Sequence, residues 1–78
     1  MAHFSFTLHV SGIDSHAERY EDALYEAGCA DALIAVIDGN MQLDFDREAT
    51  SYERAVASAI HNVEKAGGHV VKVEAIED

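Results

Sequence analysis

The spacing of hydrophobic residues in this chain switches from a period of two to a helical period and back, and does so twice. Phe4, Phe6, Leu8 and Val10 alternate with His3, Ser5, Thr7 and His9, the pattern of a half-buried strand. Ser11-Gly12-Ile13-Asp14 breaks it. From Ser15 to Ala27 the apolar positions Ala17, Tyr20, Leu24 and Ala27 recur at intervals of three and four, which places them on one helix face. Asp14 or Ser15 is positioned to accept from the free amides of the first turn. Gly28 is the expected stop, because glycine enters the left-handed conformation at a helix end without steric cost.

The cycle then repeats with a hairpin in front of it. Ala32 to Ile37 is an unbroken apolar run, and Asp38-Gly39 is a tight-turn signal. Met41, Leu43 and Phe45 alternate with Gln42, Asp44 and Asp46, with Asn40 falling either in the loop or in the strand. Thr50 and Glu53 have capping-box spacing. They precede a helix whose stripe is Tyr52, Val56, Ala59, Ile60 and Val63, closed by Gly67-Gly68. His69 to Ile76 returns to strand character, with Val71 and Val73 expected to point inward.

The resulting order is β-α-β-β-α-β over residues 1–78, read as a single acidic domain. A four-stranded antiparallel sheet with both helices on one face would cover both stripes with one core. That is the α+β, ferredoxin-like split βαβ sandwich. Glu26-Ala27-Gly28 and Lys65-Ala66-Gly67 stand before the second and fourth strands, the places two βαβ halves would give them.

Composition narrows the functional classes. Fifteen Asp and Glu oppose five Lys and Arg, for a formal charge of -10, yet 49% of residues are hydrophobic. An acidic disordered tail would not carry that apolar fraction. Such a charge repels nucleic acid and anionic membranes and favours basic protein surfaces. One cysteine rules out an intramolecular disulfide. No apolar run approaches the roughly 20 residues of a membrane span, and Met1-Ala2-His3-Phe4 does not begin a signal peptide. A cytoplasmic location is expected.

The polar residues offer few chemical constellations. On the face left open by the helices, His3 and His9 would lie beside Asp44 and Asp46, and imidazole with carboxylate binds divalent transition ions. Strand register decides whether they meet, and structural or solvent-facing roles are the expectation. His16 and His61 are placed on helices without an HExxH spacing. Cys29 is read as a small buried hydrophobe, with Glu26 and Asp31 raising its pKa; CxxC is absent. Exposed aromatics flanked by Lys and Arg, the equipment of a single-strand-binding sheet, are missing too. No catalytic, cofactor-binding or metal-ligating residue is assigned, and no cofactor is expected. Interaction candidates are Tyr25, beside the first helical stripe; Ile34 and Val36, on an apolar strand at the sheet edge; and Asp44, Asp46 and Glu48.

Three stretches carry a resemblance: Leu24-Tyr25-Glu26-Ala27-Gly28-Cys29, then Leu43-Asp44-Phe45-Asp46-Arg47-Glu48-Ala49, then Ala55-Val56-Ala57-Ser58-Ala59-Ile60. In that order they resemble the N-terminal βαββαβ domain of small bacterial regulatory or antitoxin-like proteins, which commonly continue into a helix-turn-helix segment. The resemblance covers nearly the whole chain and implies no catalytic role for Cys29, Asp44, Asp46 or Arg47. Arg47 is expected to pair with nearby carboxylates in a structural role. Asp78 falls about where the helix-turn-helix would begin, so an isolated domain or a protein-contact module is expected.

The leading functional expectation is a non-enzymatic acidic interaction module. It would bind a basic protein partner or form a homodimer through edge strands, in toxin neutralisation or regulation. Alternatives are the sensing or oligomerisation domain of a transcription regulator, a nucleic-acid-mimicking anti-defence inhibitor, and a very small metal-dependent enzyme using His3 or His9 with Asp44 or Asp46.

Overall fold

The computed structural model describes residues 2–14, 16 and 19–75. Its elements are β1 (Ala2–Ser11), α1 (Tyr20–Leu24) running into a wide π turn (Tyr25–Cys29), β2 (Ala32–Ile37), β3 (Asn40–Ala49), α2 (Tyr52–Lys65) and β4 (His69–Ala75). The strands form one antiparallel sheet in the order β2-β3-β1-β4, with the helices on one face, as the ferredoxin-like α+β arrangement requires. The expected strand end at Ile76 lies outside the described residues, as do Ser15 and Ala17 of the first helix.

The alternation in β1 and β3 sets the core. Phe6 pairs with Phe45, Leu8 with Leu43 and Val10 with Met41, so each cross-strand pair turns the same way. These six side chains join Leu24, Cys29, Ala32, Ala55, Ala59 and Val63 in one buried cluster. Phe6 and Phe45 stack at 5.3 Å between centroids, and Tyr52 meets Phe6 edge-on at 6.0 Å. The centre of the α2 stripe is therefore Ala55, Ala59 and Val63, with Tyr52, Val56 and Ile60 half-buried at its margins.

The β2–β3 hairpin takes the tighter of its two readings. Ile37 pairs with Asn40, leaving Asp38 and Gly39 as a two-residue loop with φ of 51° and 80°. Positive φ at both positions is the primed turn whose twist matches the strands.

Three local expectations are corrected. The described first helix begins at Tyr20, after Arg19 in the left-handed region at φ 65°, and His16, expected in the helix, lies in a turn. Asp14 does accept an amide, from His16 two residues on, at 2.8 Å. The α2 cap is Ser51, whose hydroxyl accepts from the Arg54 amide at 3.2 Å, not Thr50. Both residues are competent caps; β3 pairing through Ala49 and the burial phase of Ala55 select the later one. In β4 Val70 packs against the core, whereas Val71, expected to point inward, is 61% exposed. A register shift opposite His9 and Val10 inserts one residue and reverses the phase there. Val73, opposite buried Leu8, does share the helix-facing side as expected, and its position on an edge strand leaves it 38% exposed.

Candidate functional site

The open face of the sheet is organised in rows by register. Leu33, Asp44, Thr7 and Glu74 lie across one row, and Ala35, Gln42, His9 and Lys72 across the next. The Thr7 hydroxyl donates to Asp44 Oδ1 at 2.7 Å, and Thr7 is buried by its neighbours although the described helices lie on the other face. His3 Nδ1 lies 3.4 Å from Asp46 Oδ1 and its Nε2 lies 3.3 Å from Glu48 Oε2. His9 instead turns to β4. Its Nε2 is 3.1 Å from Glu74 Oε1, off the line of a hydrogen bond, and Lys72 Nζ reaches the same oxygen at 3.0 Å. Lys72 holds the Glu74 carboxyl below the ordinary carboxylate range.

The two histidines and the aspartates therefore do not gather around one point. Each histidine meets the carboxylates nearest in its own register, and His9 and His3 are separated along β1 by the Thr7–Asp44 pair. Among the described residues no group of three or more His, Cys, Asp and Glu has the geometry to hold a metal ion.

The opposite face of the same strand carries a different cluster. Arg47 points toward the helices, with its guanidinium 5.0 Å over the Phe45 ring. Nε and Nη2 make a fork to the Asp31 carboxylate at 2.7 and 2.8 Å; Nη2 also donates to the Gly28 carbonyl at 2.8 Å. Nη1 donates to Ser58 Oγ at 3.0 Å and to Asn62 Oδ1 at 2.9 Å. All donors of the guanidinium are thereby used inside the protein. Arg47 hydrogen bonding holds the Asp31 carboxyl below its usual range, and the same bond raises the Arg47 pKa.

The backbone of the π turn is fitted to this cluster. Gly28 has φ of 110°, and a Cβ there would come within 2.8 Å of the Asn62 amide. Any larger residue would meet both backbone strain and the side chain that Arg47 holds. Cys29, next along, is fully buried, and burial pushes its thiol pKa up despite the nearby Arg47. That environment suits a packed hydrophobe and not a nucleophile. The three resemblance stretches meet here: the first supplies Gly28, the second Arg47 and the third Ser58.

Of the interaction candidates, Tyr25 and Val36 are exposed, Ile34 is half-buried against the core, and Asp44, Asp46 and Glu48 are exposed along β3. The more exposed residues of β2 are ones the sequence reading passed over: Leu33 at 75% and Ile37 at 53%. An unbroken apolar run hides its own phase; only pairing with β3 separates Leu33 and Ile37 from Ile34 and Val36. No helix among the described residues is long and apolar enough to cross a membrane. Comparison with models of known protein families, with curated proteins and with solved structures finds no match.

Proposed function

We propose that this chain is a non-enzymatic, acidic protein-interaction module that works by surface complementarity. The observation that carries the reading is the juxtaposition on one open sheet face of an exposed acidic row, Asp44, Asp46 and Glu48, with the apolar edge strand β2. Negative charge steers a basic partner to the surface, and desolvation of the apolar edge supplies affinity once it arrives. The partner is a basic protein or a second copy of the chain, in a bacterial cytoplasm, in toxin neutralisation or regulation. The resemblance to N-terminal domains that commonly continue into a helix-turn-helix segment supports a regulator's sensing or oligomerisation domain as the second reading.

The deciding experiment is a tagged pull-down from the native host at low and moderate salt, followed by intact mass measurement of what is recovered. One stoichiometric basic protein, or the chain bound to itself, is the expected result. A monomer that recovers nothing at either salt concentration overturns the reading. Replacing Asp44, Asp46 and Glu48 together by their amides slows capture of a basic partner if steering operates.

A further inference from the structure

The two edges of the sheet are built differently. β4 carries a bulge opposite His9 and Val10 and the charged side chains of Lys72 and Glu74, devices that discourage another strand from pairing. β2 has none of these: Ala32–Ile37 contains no charge and no proline, and its register with β3 runs without a shift. Its outward backbone groups can be identified. The Asp31 carbonyl accepts from the Asp46 amide at 3.4 Å, so bonds to β3 fall on Asp31 and on alternate residues after it, Leu33, Ala35 and Ile37. The amides and carbonyls of Ala32, Ile34 and Val36 therefore point away from the sheet.

We propose that two copies of this chain pair β2 with β2, antiparallel, about a twofold axis through Ala35. The proposal deepens the self-association half of the function given above. The run Leu33-Ile34-Ala35-Val36-Ile37 is self-complementary about its centre. Leu33 faces the partner's Ile37 on the open side, and Ile34 faces the partner's Val36 on the helix side. Apolar meets apolar at every position. Ile34 and Val36 are also the residues whose backbone groups are free, and each Ile34–Val36 pair across the axis exchanges both of its bonds. Ala35 faces itself as a non-hydrogen-bonded pair, where a small side chain suits the close approach. The pairing is isologous and closes after two copies, joining two four-stranded sheets into one.

Charge fixes the salt dependence. Each copy carries -10, which opposes their approach, yet the paired run is uncharged and Asp31 at its start is already held by Arg47. Screening relieves the repulsion, so added salt tightens the dimer, whereas it weakens capture of a basic protein. The sign of the salt effect thus separates the two kinds of partner.

The test is sedimentation velocity and native mass of the purified chain across salt concentration, with cysteine variants oxidised under the same conditions. A salt-strengthened dimer is expected. Ala35→Cys should give a disulfide-linked dimer, because opposed Cα atoms at a non-hydrogen-bonded pair lie about 4.5 Å apart. Leu33→Cys and Ile37→Cys should not, since neither faces itself; Cys29 is buried and does not compete. Leu33→Lys should raise the dimer dissociation constant roughly a hundredfold, as each substitution enters the interface twice. Adding Ile37→Glu to it should restore pairing by setting opposite charges across the axis. Circular dichroism confirms that each variant is folded. A monomer at all concentrations and salts, or equal cross-linking at the three positions, overturns the proposal. A monomer that still captures a basic protein at low salt sinks the pairing and leaves the acidic-face function standing.

Discussion

Arg47 and its neighbours Asp46 and Glu48 are consecutive on one strand, yet their charges do different things. Arg47 turns under the helices, where its side chain is only 12% exposed and its fork to Asp31 is completed by Gly28, Ser58 and Asn62. Asp46 and Glu48 turn outward and, among the described residues, pair with His3, all three side chains being more than half exposed. Water screens the outer contacts and competes for them, while the inner cluster has exchanged water for fixed partners. One residue of strand phase separates a charge that holds the fold from charges left in solvent.

The largest effect should come from breaking the inner cluster. Arg47→Ala leaves Asp31 half-covered without its cation and strands the Gly28, Ser58 and Asn62 acceptors. We expect a loss of about 3 kcal/mol in a denaturant titration. A change below about 1 kcal/mol would mean that water replaces the guanidinium and that the two clusters do not differ in kind.

Asp31→Asn tests the same cluster through pH. Because the folded-state pKa of Asp31 lies below its unfolded value, its contribution is fully present above the unfolded pKa, near 4, and is lost as pH falls through the folded pKa. The native chain should therefore be the more stable at pH 7, and its lead in thermal midpoint over Asp31→Asn should shrink below about pH 4. A lead that is constant down to pH 2 would remove Asp31 ionisation from the account.

The outer cluster should respond least. His3→Ala is expected to change unfolding free energy by less than about 0.5 kcal/mol. A larger loss would show the open face to be more tightly organised than its exposure indicates. Thr7→Val lies between the two extremes. It removes a hydroxyl that is buried yet bonded to an exposed carboxylate, and a cost of about 1 kcal/mol is expected in the same titration.

Much of this arrangement was legible beforehand. The alternation of Phe4 to Val10 and of Met41 to Phe45 predicts which faces of β1 and β3 are buried, and Gly28 and Asp38-Gly39 mark turns that do adopt positive φ. Several of the departures share a cause. Thr50 and Ser51 are chemically equivalent caps, Val70 and Val71 are identical side chains, and Ala32 to Ile37 has no polar residue to reveal its phase. In each place local chemistry is degenerate, and the choice falls to pairing with a distant strand. Arg47 was expected to pair structurally, but its partners are spread over positions 28 to 62 and no short spacing announces them.

Hydrophobic period and turn chemistry, both local properties, determined the element order and the sheet's buried face, and composition alone set the net charge of -10. Tertiary structure alone decided which histidine meets which carboxylate, that five donors of one arginine tie strand to helix, and that one sheet edge is guarded while the other presents a bare apolar run. Those outcomes depend on register and on a bulge, and register is set by contacts between residues far apart in the chain.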